Sequence, residues 1–256
     1  MNFMKLTNDI DLIDGLPIAY IKSISAIAIS DLHLGYEGIA AKAGVYAPKS
    51  NLKKIKEMVG DALGKTGAST IIVTGDIKNE FSSVDIDEYS EMLEFVKFAK
   101  RKNTRLILIK GNHDNFVDRY KTLFDIEIFA QEMQEGKYLF FHGEEMPKSI
   151  SKRVKGNNIS EKVEMLIMGH EHPAISLISR IRRKEKLKCF LFGEYRGKQL
   201  LVLPAINYLM QGTDINLEPK SRLLSPILKK ADINRFRAIA VGYGETLDFG
   251  RILDLR

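Results

Sequence analysis

Residues 24–33 read ISAIAISDLH, an apolar run rich in isoleucine that closes on Asp31 and His33. A short apolar run ending in polar residues is the pattern of a buried strand handing over to a loop. The same step recurs twice downstream. Residues 69–73 (STIIV) enter Thr74-Gly75-Asp76, and residues 105–109 (RLILI) enter Lys110-Gly111-Asn112-His113-Asp114. Helical spacing lies between these runs. Leu52, Ile55, Val59 and Leu63 predict a helix over 49–63 with a cap at Ser50 or Asn51. Tyr89, Met92, Leu93, Val96 and Phe98 predict a second helix, with Asp85 and Glu88, three apart, at its start. Strand then helix, repeated, is the signature of an α/β layer fold.

The second half changes rhythm. Residues 138–141 and 165–168 read as strands, and each runs into a histidine. From Ala174 onward the apolar stretches are short and strand-like, at 189–192, 200–203 and 238–241, with glycine-containing turns between them. This predicts a second, more antiparallel sheet. No internal repeat and no long Pro/Gly linker divides the chain, so residues 1–256 are expected to form one domain with two sheets. Residues 180–188 (RIRRKEKLK) form a dense basic run. It reads either as a solvated hairpin or as a phosphate-backbone contact through Arg180, Arg182, Arg183 and Lys184.

The chain of 256 residues is 45% hydrophobic and 28% charged, which excludes a disordered or fibrous protein. No apolar run approaches the roughly 18 residues that a membrane span needs. The start, MNFMKLTNDI, lacks the features of a secretory signal, and the single cysteine, Cys189, suits a reducing compartment. A cytoplasmic location is the expectation. The net charge of +6 favours polyanionic partners such as nucleic acid.

The chain has five histidines, His33, His113, His142, His170 and His172. Each follows a predicted strand and lies beside or close to glycine, asparagine or a carboxylate. In an open α/β sheet the carboxyl ends of the strands form the ligand crevice, which would bring Asp31, Asp76, Asn112, His142 and His170 together. Imidazole with carboxylate and amide oxygen, and no thiolate, suits Mn, Fe, Zn, Ni or Co. A central carboxylate such as Asp76 can bridge two cations, and two cations can polarise a phosphoryl group and generate hydroxide from water.

The ordered set Asp31-x-His33, Gly75-Asp76, Gly111-Asn112-His113-Asp114, His142 and Gly169-His170-x-His172 resembles the calcineurin-like metallophosphoesterase superfamily. Within it, Ser30-Asp31-Leu32-His33-Leu34-Gly35, Gly44, Pro48 and Gly169-His170-Glu171-His172-Pro173 resemble the Icc-like phosphoesterases. That group includes the bacterial ligase-associated DNA-repair enzymes. The segment from Leu203-Pro204-Ala205 to Gly212 is similar to the same group.

The resemblance implies a four-layer α/β-β/α sandwich, two mixed β-sheets flanked by helices, with a binuclear site between the sheets. It implies that Asp31, His33, Asp76 and His172 hold one divalent ion, and that Asp76, Asn112, His142 and His170 hold the other. Manganese is the first choice, with Fe, Zn, Ni or Co as alternatives. A bridging hydroxide would attack phosphorus in line while His113 stabilises or protonates the leaving oxygen. One departure stands out. The aspartate that usually follows Gly-Asp by three residues and pairs with the catalytic histidine is replaced by Asn79. Asn79 can orient an imidazole without adding charge, and Asp114 or Glu80 are the alternative partners.

The expected activity is phosphodiester hydrolysis on nucleic acid (DNA or RNA) or nucleotides. The alternatives are a phosphomonoesterase, and a non-catalytic nucleic-acid-binding or protein scaffold on the same fold. The last third of the chain must complete the second sheet, which leaves little for a cap over the cleft. Gly64-Lys65-Thr66 lacks the spacing and context of a phosphate-binding loop, and Gly242-Tyr243-Gly244 reads as a turn. Cys189 reads as a buried core thiol.

Overall fold

The computed structural model describes residues 3–44, 49–80, 86–124, 126–151, 162–178 and 184–256. Pro48, Asp85, Arg180, Arg182 and Arg183 lie outside the described residues.

The first sheet takes its strands in chain order: β1 (Phe3–Lys5), β2 (Ile10–Ile13), β3 (Ala19–Ile21), β4 (Ala26–Ile29), β5 (Thr70–Thr74), β6 (Arg105–Ile109) and β7 (Glu127–Phe129). β1 to β4 pair antiparallel, and β4 to β7 pair parallel. The second sheet holds β8 (Glu132–Glu135), β9 (Tyr138–Phe141), β10 (Met165–Met168), β11 (Pro173–Ile178), β12 (Lys184–Tyr195), β13 (Lys198–Val202), β14 (Thr213–Asp214), β15 (Arg237–Gly242) and β16 (Glu245–Arg251). It is mixed: β9, β10 and β13 run parallel side by side, while the β11–β12, β12–β15 and β15–β16 pairs are antiparallel.

The central strands are apolar without interruption because both of their faces are covered. In β4, Ala26 and Ala28 face the second sheet, whereas Ile27 and Ile29 face the helices. In β9, Tyr138 and Phe140 face the first sheet, and Leu139 and Phe141 face outward into a third apolar layer. That inter-sheet core is built from small and branched residues on one side and from Tyr138, Phe140, Ile167 and Phe190 on the other.

Three helices cover the first sheet's outer side or edge its loops: α1 (Tyr36–Lys42), α2 (Asn51–Thr66) and α3 (Ile86–Arg101). Leu52, Ile55, Val59 and Leu63 of α2 and Met92, Phe95, Val96 and Ala99 of α3 form its buried stripes. Ser50 is the N-cap of α2, but its side chain makes no cap bond. Glu37 of α1 does that work, its Oε1 accepting the N–H of Ser50 (3.0 Å) and of Asn51 (2.7 Å). The Gly64-Lys65-Thr66 segment is the last turn of α2, and Tyr243-Gly244 is the turn between β15 and β16. The second sheet's outer side is covered more thinly, by Leu223, Ile227, Leu228, Ile233, Phe236 and Ile252. Four layers result, an α/β fold with two mixed sheets.

Candidate metal centre

β4, β5 and β6 are parallel, so Asp31, Asp76 and Asn112 leave the first sheet at one end. β9 and β10 are parallel in the second sheet and deliver His142 and His170. Backbone bonds then zip the loops together. The N–H of Asp31 donates to Gly75 O (3.1 Å), that of His33 to Asp76 O (2.9 Å), and that of Gly169 to His142 O (2.9 Å). The sheets meet where the N–H of Ile206, just past β13, donates to Ser30 O at 2.9 Å.

Convergence forces the backbone into an unusual region. Asp31, His33, Asp76, His170 and His172 all have positive φ, between 44° and 68°. Non-glycine residues rarely occupy this left-handed region, and clusters of them mark sites where the surroundings impose geometry. The approach is also close. A Cβ on Gly169 would lie 1.7 Å from Ser30 Oγ and 2.7 Å from Asp31 Oδ2, so only glycine fits there.

Two groups of side chains could each hold an ion: Asp31, His33 and His172, and Asp76, His142 and His170, with the candidate ligand atoms of each group within 4.8 Å of one another. His172 Nε2 lies 3.1 Å from Asp31 Oδ1, and His142 Nε2 lies 3.1 Å from Asp76 Oδ2. The groups adjoin: His33 Nε2, 3.4 Å from His172 Nε2 within its own group, lies 3.9 Å from Asp76 Oδ2 of the other. Asp76 thus stands between them. A third grouping of His33, Asp76 and His113 also has ligating geometry, so the structure brings His113 into the same cluster.

The donor set suits divalent cations. Asn112 Oδ1 is buried and has no hydrogen-bond partner, an arrangement that costs free energy unless something else satisfies the oxygen. His142 Nδ1 lies 2.8 Å from Thr74 O, and a carbonyl can only accept, so the proton sits on Nδ1 and Nε2 faces Asp76. Asp31, His33, Asp76 and His142 are buried, while Asn112, His113, His170 and His172 keep partial exposure. The cluster therefore has a sealed floor and an accessible rim.

Burial and mutual charge set the proton affinities. Burial works to raise the Asp31 carboxyl, but His172, His142 and His33 outweigh it and hold it below the usual carboxylate range. Asp76 is likewise lowered against its burial, chiefly by His142. Burial pushes His33 and His170 down to about 4. For His142 the Asp76 and Asp31 charges overcome burial and push it up to about 10. Asp114, buried near Asp76, is pushed up to about 7.

The expected orienting residues act differently from their sequence reading. Asn79 meets His113 through its backbone carbonyl, which lies 2.6 Å from His113 Nδ1. Asp114 uses Oδ1 to accept the N–H of Ile77 (3.0 Å) and Lys78 (3.2 Å), and Oδ2 to accept that of Gly111 (2.9 Å). It ties the loops after β5 and β6 together. Lys184 ion-pairs with Asp214 at 2.7 Å and keeps a half-exposed side chain. It stands four residues along β12 from Lys188, the residue paired with Ala174 beside His172, or about 13 Å at the usual strand rise.

Several supporting residues take roles that the sequence reading did not assign them. Glu171, between two histidines, points away from the cluster and accepts the N–H of Leu224 (3.1 Å) and Ser225 (2.8 Å). Glu88 is 2% exposed and turns toward the loop after β5. Its helical spacing to Met92, Phe95, Val96 and Ala99 puts it on the buried stripe of α3, and that was the available signal. Lys188 is half-buried, with Nζ donating to the carbonyls of Ala205 (2.7 Å) and Asn207. A cavity of 760 Å³ lined by Lys100, Arg105, Lys121 and Glu127 opens at the other end of β6, away from Asn112.

Comparison with solved structures finds the nuclease MPE of Pseudomonas putida, at a TM-score of 0.65 and 17% identity, covering 97% of this chain and 100% of that one. Yfce, a phosphoesterase from E. coli, matches at a TM-score of 0.40 and 17% identity over 71% of this chain and 79% of that one. No curated protein sequence matches. A family model described as calcineurin-like phosphoesterase matches residues 24–174. The match runs from the approach to β4 to just past His172, takes in more than half of the chain, and encloses all five histidines; the chain belongs to the calcineurin-like phosphoesterase family.

Proposed function

We propose that the chain is a binuclear metal-dependent phosphodiesterase acting on nucleic acid or nucleotide diesters. One observation carries the reading: two ligand groups, each drawn from both sheets, adjoin at Asp76, beside a buried and unpartnered Asn112 oxygen. In this reading Asp31, His33, Asp76 and His172 hold one ion, Asp76, Asn112, His142 and His170 the other, and manganese is the first choice. Two such ions supply Lewis acidity toward a phosphoryl group and a water-derived nucleophile at neutral pH. The chain's own residues do the rest. Thr74 O fixes the His142 tautomer, and Asn79 O holds the Nδ1 proton of His113, so that His113 Nε2 can meet the leaving oxygen.

The substrate class is supported by the net charge of +6 and by the full-length likeness to a protein described as a nuclease. The Icc-like motifs agree with it. The shared inter-sheet core supports reading residues 1–256 as one domain, and among the described residues no helix is long and apolar enough to cross a membrane. A cytoplasmic location fits the single buried thiol.

The test is hydrolysis of bis(p-nitrophenyl) phosphate beside p-nitrophenyl phosphate, by protein stripped of metal and reloaded with Mn²⁺. Metal-dependent turnover that favours the diester and vanishes in Asp76→Asn is expected. Full activity in Asp76→Asn would overturn the bridging assignment, and preference for the monoester would move the protein to the phosphomonoesterases.

A further inference from the structure

We infer that Glu88 is a positioning residue for His113, acting through the peptide group that joins Asn79 to Glu80. The two ends of that single peptide group carry the argument. Its carbonyl, Asn79 O, lies 2.6 Å from His113 Nδ1 and can only accept, so it holds the ring's proton on that nitrogen. Its N–H, on Glu80, donates to Glu88 Oε2 at 2.6 Å. A carboxylate at the N–H end polarises the amide and makes the carbonyl oxygen a stronger acceptor, because hydrogen bonds in a chain reinforce one another. Negative charge thus reaches the imidazole one peptide removed, where the neutral Asn79 side chain has none to give.

The carboxylate is fixed on every side. Its Oε2 also accepts the N–H of Asn79 at 3.0 Å, and its Oε1 lies 3.2 Å from Lys78 Nζ, with both side chains at most 3% exposed. Both oxygens face donors, which favour the ionised form against the burial that raises the carboxyl. Lys78 Nζ in turn donates to Glu80 O. The start of α3 can come this close because residue 35 is glycine: a Cβ there would meet Glu88 Cβ at 2.7 Å. An acidic residue on a buried helical stripe, paired with a buried lysine, is costly to keep, and the peptide relay gives it a function.

The inference rests on the reading of His113 as the group that meets the leaving oxygen, and the test separates the two. Mn²⁺-loaded protein is assayed on bis(p-nitrophenyl) phosphate as wild type, Glu88→Gln, His113→Ala and the double variant, with bound metal measured in each. Glu88→Gln should lower kcat by about tenfold, the lower end of what losing a partner that orients a functional imidazole costs, with KM and metal content unchanged. In the His113→Ala background it should cost nothing further. An equal factor in both backgrounds, or no effect in the wild type, overturns the relay and leaves the His113 reading standing. If His113→Ala keeps full activity or strips metal, the His113 reading fails and the relay falls with it. Should Glu88→Gln not fold, Lys78→Met with Glu88→Gln removes both buried charges together and enters the same cycle.

Discussion

At the scale of single residues, the candidate ligands are already prepared for cations to different degrees. His33 and His170, held down to about 4, are neutral at physiological pH, whereas His142, pushed up to about 10, carries a proton. An ion bound by neutral imidazole must displace that proton. The sign follows: raising the pH toward 10 empties His142 and favours the metal. Between about pH 7 and pH 9, loading should release about one proton and tighten roughly tenfold per pH unit. Calorimetry in two buffers of different ionisation enthalpy checks it, and His142→Ala should abolish the release. The five histidines were legible in the sequence because ligand chemistry demands particular side chains at particular strand ends. The roles of Thr74 and Asn79 were not, since each acts through a backbone carbonyl that any residue carries. Glu88 was read as a helix-start acid, a role its type and position also suit, and only burial separates the two.

At the scale of elements, the strands covered on both faces were the readable ones. β4, β5, β6, β9 and β10 lie within a residue or two of their sequence reading, because double burial writes itself as unbroken apolar runs. β12 was read only at its apolar centre. It begins at Lys184, in the basic run read as a solvated hairpin or a phosphate-backbone contact, and its lysines alternate. Lys184 and Lys186 reach Asp214, Lys186 also reaches Gly212 O, and Lys188 reaches Ala205 O and Asn207 O. One face of the strand thus holds down the segment from Ala205 to Asp214. That segment donates from Ile206 N to Ser30 O and from Asn207 Nδ2 to Leu32 O, on either side of Asp31. Lys188→Met would leave two buried carbonyls without this donor, a loss of about 1–3 kcal/mol. Urea unfolding measures it, and weaker Mn²⁺ binding should accompany it. Gly169→Ala belongs to the same scale. Its Cβ has no room beside Ser30 and Asp31, so metal content should fall sharply while secondary structure persists, read by metal analysis and circular dichroism.

At the scale of the whole molecule, the sequence conveyed the order of layers but not the edge strand β1 or its neighbours β2 and β3, which at three or four residues each are too short to carry a pattern. The candidate ligands divide between the sheets, Asp31, His33, Asp76 and Asn112 on one and His142, His170 and His172 on the other, in keeping with the placement between the sheets that the resemblance implied. An ion held there ties two separately built layers together and binds the folded state alone. Mn²⁺ at a hundred times its Kd should therefore stabilise the fold by about 2.7 kcal/mol, which thermal unfolding would register as several degrees. Asp76→Asn should erase most of that shift. The seam between the sheets would thereby make the ion a fastener as much as a reagent. Scarcity of the metal would shorten the protein's lifetime along with silencing it, and the amount of folded chain would become a record of metal supply.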